Sequence, residues 1–212
     1  MPKFFSLPLV KIEQEQPDIF TFYFEKKENM QLEGGQYGLF AQTKLTNPHP
    51  FSIASSPKEA YLSFTTIIRK SSKYKQNLMS MAIGDKLIMI GPLQNFGFVN
   101  GVQKYMFIAQ GIGITPFRSL LKAKFERSIR GEVTLLHIAK KDHLFKDLTN
   151  QLAERSYYPT NSASFKEILS NNLQSEYYYI AGSKEFTKST KAFLIDKGVP
   201  SSQIKFDSFT GY

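Results

Sequence analysis

The run Gln110-Gly111-Ile112-Gly113-Ile114-Thr115-Pro116 follows an apolar stretch, Tyr105-Met106-Phe107-Ile108-Ala109, and ends on a Thr-Pro pair suited to open a helix. Two glycines at such a strand-to-helix junction let bare backbone approach a pyrophosphate, whose charge the helix amino terminus favours. The same pair also serves any tight connection, because glycine accepts a left-handed backbone without steric cost. A second stretch, His49-Pro50-Phe51-Ser52-Ile53-Ala54-Ser55, sets a flat aromatic ring beside a small hydroxyl donor. By itself, that alternation reads as an ordinary strand.

Composition narrows the chemistry. The 212 residues contain no Cys, which removes disulfides, catalytic thiols, thiolate zinc sites and iron-sulfur clusters within this chain. Only three His are present (His49, His137 and His143), scattered in sequence, so no metal site is assigned. Any redox chemistry must therefore come from an organic cofactor. The +9 net charge could attract nucleic acid, a membrane surface or an acidic protein. Its lysines are dispersed, in short groups such as Lys26-Lys27 and Lys140-Lys141, which reads as solvated surface or as steering of an anionic nucleotide or acidic protein rather than a nucleic-acid arm. The first residues lack the apolar core of a signal peptide, and no stretch approaches the roughly 20 apolar residues of a membrane helix, so a soluble cytoplasmic protein is expected.

These residues need elements to hold them. The first half, rich in Phe and Tyr, predicts strands over 4–13, 18–25, 36–42, 51–55, 61–69 and 86–91. One helix near 74–82 interrupts them, with Leu78, Met81 and Ala82 on one face and Gly84 as its stop. Regular spacing of that kind implies a closed or nearly closed barrel. Beyond residue 99 strands alternate with helices: after 105–109 and the helix opened by Thr115-Pro116 come strands at 132–139, 177–181 and 203–206 and helices at 144–153, 163–170 and 184–197. Alternation means a parallel sheet with right-handed crossovers. The expected division is residues 1–99 and 100–212, with the junction between Gly97 and Lys104.

Three separated segments occur in the order of one family: His49 to Ser55; Gly91-Pro92-Leu93-Gln94-Asn95-Phe96-Gly97 followed by Gly111 to Pro116; and Ala181-Gly182-Ser183 with the ending Asp207-Ser208-Phe209-Thr210-Gly211-Tyr212. Along nearly its whole length the chain resembles the ferredoxin-NADP reductase-type flavoproteins. The resemblance implies an amino-terminal Greek-key FAD-binding β-barrel followed by a parallel α/β domain that binds NAD(P). It also implies that Phe51 packs against the isoalloxazine ring, that Ser52 hydrogen-bonds near the hydride-accepting nitrogen, and that Phe209 or Tyr212 covers the flavin face which nicotinamide must reach. Ser52 and Phe209 are thus the expected catalytic residues. Cofactor contacts are expected from His49, Pro50, Phe51, Ser52, Ile68, Lys70, Ser72 and Lys75 on the barrel side. On the nucleotide side they are expected from Gly111, Gly113, Ile114, Thr115, Pro116, Lys140, Gly182, Ser183, Phe209 and Tyr212.

Departures from the family pattern are informative. His49 stands where most relatives carry Arg, so the pyrophosphate contact loses a bidentate fork, although His there also resembles the ferric-reductase branch. Ser72 and Lys75 replace the usual Gly and Ser that cradle phosphate, and Ala181 replaces a Cys found near nicotinamide. Ala163 supplies no charge where relatives often place Arg, which favours NAD over NADP, although Lys140 and Lys141 could meet an added phosphate. The activity implied is electron transfer between NAD(P)H and an acceptor through FAD, the acceptor being a small acidic carrier such as ferredoxin or flavodoxin. Reduction of free flavin or ferric chelates, or a flavin-binding regulatory or assembly subunit with little turnover, are the alternatives.

Overall fold

The computed structural model describes residues 3–42, 47–94 and 96–209. Strands β1 (Phe4–Gln16), β2 (Ile19–Glu25), β3 (Gln36–Ala41), β4 (His49–Ser52), β5 (Tyr61–Ile67) and β6 (Lys86–Gln94), with helix α1 (Lys73–Met79) before β6, make the first half. They pair antiparallel in the order β4-β3-β6-β1-β2-β5. The outer strands meet where Ile53 bridges Phe64 and the Ala54 N–H donates to the Ser63 carbonyl at 2.7 Å, which closes the sheet into a barrel.

Aromatic alternation fills that barrel. Phe64 lies at its centre, with ring centroids 4.4 Å from Phe51, 4.8 Å from Phe40 and 5.5 Å from both Phe22 and Phe24. Each such side chain removed from water contributes about 1.5–3 kcal/mol. Along β2 and β5 the alternation breaks down: Thr21, Ser63 and Thr65 face away from the barrel interior and are buried as well. Their outer face is covered by the second half, and Thr21 and Thr65 satisfy each other there at 2.8 Å.

The second half runs β7 (Lys104–Gln110), a 3-10 turn (Gly111–Ile114), α2 (Thr115–Arg127), β8 (Glu132–Ile138), α3 (Lys146–Leu152), β9 (Arg155–Tyr157), α4 (Ser162–Ser170), β10 (Tyr177–Ser183), α5 (Lys184–Asp196), a 3-10 turn (Ser201–Gln203) and β11 (Ile204–Phe209). All four pairings are parallel, in the order β11-β10-β7-β8-β9. The order reverses between β7 and β10, and ligands of open α/β sheets bind beyond the strand carboxyl ends at such a point. The connection after β6 is no loose linker, since Phe96 stacks on Phe117 at 5.7 Å and meets Tyr179 edge-on at 5.1 Å.

Some boundaries differ from the sequence reading. Helix α1 stops at Met79, with the Ser80 N–H closing its last turn, and Gly84 sits at φ +92° in the turn beyond. Strand β4 starts earlier and ends at Ser52, because the backbone after Ile53 turns its hydrogen bonds to Ser63 and to α2. The three-residue β9 was not anticipated, being too short to show a period.

Helix α2 docks on the segment that follows β4. The Arg118 guanidinium donates to the Ala54 carbonyl at 2.6 Å and to both carboxylate oxygens of Glu59 at 2.9 Å, while Lys122 reaches Glu59 at 2.8 Å. The Ser119 hydroxyl donates to the Ser55 carbonyl at 2.8 Å, and Ser56 donates to Glu126. Burial alone would raise the Glu59 pKa, but the Arg118 and Lys122 contacts hold it down to about 2. These bonds fix the barrel against the parallel sheet.

Candidate functional site

Strand β4 is an edge strand of the hydrogen-bonded order, which is why Pro50, lacking an N–H, is tolerated opposite Leu39. Phe51 is buried, with one face parallel to Phe64 at an interplanar angle of 9°. His49 and Phe51 share a side, and both meet Tyr74 of α1, at ring-centroid distances of 3.9 and 6.1 Å. Tyr74 is held by its own hydroxyl, which donates to the Phe40 carbonyl at 2.8 Å. Burial, reinforced by the Lys75 charge, lowers the His49 pKa below its ordinary value.

At the start of α1, the Ser72 hydroxyl accepts the Lys75 N–H at 3.4 Å, so it caps its own helix. Burial, with a contribution from Arg69, lowers the Lys75 pKa. Ile68 packs against the barrel core and donates its N–H to the Asp18 carbonyl, whereas Lys70 is exposed.

Ser52 is buried, and its hydroxyl lies 3.5 Å from a carboxylate oxygen of Asp207 on β11. This contact joins the β4 edge to the carboxyl end of the parallel sheet. The register of β11 on β10 sets Asp207 opposite Ala181 and Phe209 opposite Ser183. Phe209 is half-buried against the core of the second half, and Tyr212 lies outside the described residues.

At the sheet's reversal point the turn after β7 is shaped by glycine in two ways. Gly111 has φ +53°, with open space where a Cβ would stand, and a side chain at Gly113 would meet the Ala181 carbonyl oxygen at 2.2 Å. The first glycine keeps backbone accessible and the second lets the turn lie on β10. Ile114, Thr115 and Pro116 are buried, and the Thr115 hydroxyl donates to the Ile112 carbonyl at 2.8 Å. Gln110 and Ser183 tie the two strand ends together, the Ser183 hydroxyl donating to the Gln110 amide oxygen at 2.7 Å. Ser183 also accepts the Phe186 N–H as the cap of α5, next to buried Gly182. Lys140 is exposed just past the carboxyl end of β8.

These two regions share one seam. Ile19 and Ile67 of the barrel join Ile112 and Ile114 in a single apolar cluster, and α2, entered through the glycine turn, is bonded to Ala54 and Ser55 just beyond Ser52. Three contributors have no role in the sequence reading: Asp207 and Gln110, which lie in its motifs, and Arg118, which does not. Each acquires its role from a partner far away in the chain, and no local spacing signals that.

The residues fit a flavin-type ring next to a dinucleotide, with an aromatic-backed edge, a buried hydroxyl donor and an accessible glycine backbone meeting at one seam. Comparison with known proteins agrees. The chain is 26% identical to a flavohemoprotein of Pseudomonas putida over 95% of its own length, and spans 58% of that relative. In fold it resembles a ferredoxin NADP+ reductase from Neisseria gonorrhoeae with bound FAD and NADP (TM-score 0.80, 20% identity, 97% of this chain and 98% of that one). It is similar also to the flavohem-like FAD/NAD binding domain of a Vibrio cholerae nitric oxide dioxygenase (TM-score 0.77, 18% identity, 96% and 98% covered). A family model described as an FAD-binding domain matches residues 4–192, and with nearly the whole chain matched, this protein belongs to that family of FAD-binding domains.

Proposed function

We propose that the chain is an NAD(P)H-dependent flavoprotein reductase, with residues 1–99 holding FAD, residues 100–212 holding the nicotinamide nucleotide, and the reaction at the seam between them. The Ser52–Asp207 contact is the observation that carries this reading, because it brings the flavin-side strand and the carboxyl end of the nucleotide sheet to one point. Bound FAD supplies two-electron acceptance from nicotinamide and release of those electrons to an acceptor. The protein's part is positional. Phe51, backed by Phe64, presents a fixed edge for the ring; Ser52, held by Asp207, offers an oriented hydroxyl; and His49 offers a ring nitrogen for hydrogen bonding to phosphate. The turn from Gly111 to Pro116, with Gly182 and Ser183, would hold the dinucleotide, and Lys140 would face its ribose end. Phe209 would cover the ring from the carboxyl-terminal side.

The acceptor we favour is a small acidic electron carrier, since a +9 protein attracts one over distance. A haem domain is the second reading, supported by the flavohemoprotein relative of which this chain spans 58%. Anaerobic titration with NADH and NADPH in parallel, followed through flavin absorbance, tests the core of the proposal. Bleaching by either nucleotide is the expected result, with NADH the stronger. A protein that binds FAD and is bleached by neither would be a flavin-binding subunit with little turnover.

A further inference from the structure

His137, next to last in β8, is fully buried, yet nothing in the proposed hydride transfer uses it. Its Nε2 lies 2.8 Å from the Gly111 carbonyl oxygen. A carbonyl only accepts, so Nε2 carries the proton. Nδ1 is buried without a partner. An unsatisfied buried nitrogen is costly, and an apolar residue of similar size would fill the space without that cost. The ring is braced edge-on by His143 at 5.1 Å, whose own Nε2 is 3.2 Å from the Pro159 carbonyl, and by Tyr158 at 6.3 Å. Two histidines that look scattered in sequence thus tie the turn after β7 to the loop after β9, both at the carboxyl edge of the sheet.

The bond acts on one peptide plane. In a trans peptide the C=O of Gly111 and the N–H of Ile112 point in opposite directions, so a group that holds the carbonyl also orients the N–H. With the carbonyl held on His137, the Ile112 N–H on the other side of the same plane points away from that imidazole. We propose that His137 is a positioning residue for the dinucleotide, fixing the Gly111–Ile112 peptide so that its N–H faces the pyrophosphate. Burial, opposed only partly by the Gly111 bond, lowers the imidazole pKa to about 3, so the anchor keeps one protonation state throughout the working pH range.

This inference rests on the nicotinamide-nucleotide reading above, and the test separates the two. Isothermal titration of the FAD-loaded protein with NAD+ and with NADP+ is compared for wild type, H137L and H137Q, alongside FAD content and melting temperature. Loss of one net hydrogen bond predicts about five- to tenfold weaker dinucleotide binding in H137L at unchanged FAD content. In H137Q the amide can donate from nearly the Nε2 position, and binding within about twofold of wild type is expected. Nitrogen-15 spectra of the wild-type imidazole should show a neutral ring protonated at Nε2 from pH 5 to 8. Wild-type affinity in a folded H137L, or equal weakening in both variants in step with their melting temperatures, would make His137 core filling and overturn the proposal. A wild type that binds neither nucleotide overturns the nicotinamide reading itself, whatever the variants do.

Discussion

The two edges that meet at the seam are made of opposite materials. On the barrel side, β4 presents side chains: Phe51 clamped on Phe64, His49 on Tyr74, and Ser52 held against Asp207. On the parallel-sheet side, the turn at Gly111 to Ile114 presents backbone, shaped by one glycine with a left-handed φ, another pressed on β10, and a histidine beneath. A packed aromatic edge suits a cofactor that stays, whereas a backbone cradle suits one that comes and goes. Damage to the first should cost stability and FAD together. Damage to the second should cost nucleotide binding first.

The sharpest break of that contrast is Phe51→Ala. It empties a site against Phe64, Phe40 and Tyr74 and should destabilise the protein by about 3–5 kcal/mol, read as a lower melting temperature together with lost FAD. Glu59→Gln attacks the clamp between the halves and leaves Arg118 facing an uncharged partner, for an expected loss of roughly 3 kcal/mol at neutral pH. Acid should reproduce that effect. A carboxyl whose folded pKa is depressed from 4.5 to about 2 stabilises above 4.5 and loses its contribution as pH falls towards 2. Chemical denaturation between pH 6 and 2 should therefore show a stability decline in wild type that is flatter in E59Q. On the other edge, Gly113→Ala forces a Cβ against the Ala181 carbonyl, for about 1–3 kcal/mol by overpacking, with nucleotide binding lost and FAD retained. Ser52→Ala is the mildest change to stability, and should keep FAD while slowing its reduction by NAD(P)H in stopped-flow measurements.

Much of this was legible in the chain. Aromatic alternation announces β2 and β5, and the change of rhythm after residue 99 announces the parallel sheet, because each pattern lies within one element. The glycines at 111 and 113 likewise mark their own positions. What stayed hidden depends on distant contact. Ser52 and Asp207 are 155 residues apart, and Thr65 is buried only because the second half covers the barrel's outer face. His137 offered no local sign that it reaches Gly111, since the pairing of β8 with β7 creates that approach. The cap of α1 by Ser72 shows the converse: a hydroxyl read as a phosphate contact has a structural partner in its own helix.

Direct hydride passage across the seam is the central claim, and anaerobic single-turnover reduction with nicotinamide stereospecifically deuterated at C4 tests it most directly. Slower flavin bleaching with deuterium on one face only, and the label absent from the oxidised nucleotide, is the expected result. Absence of bleaching in protein loaded with FAD, or bleaching indifferent to deuterium on either face, would contradict it.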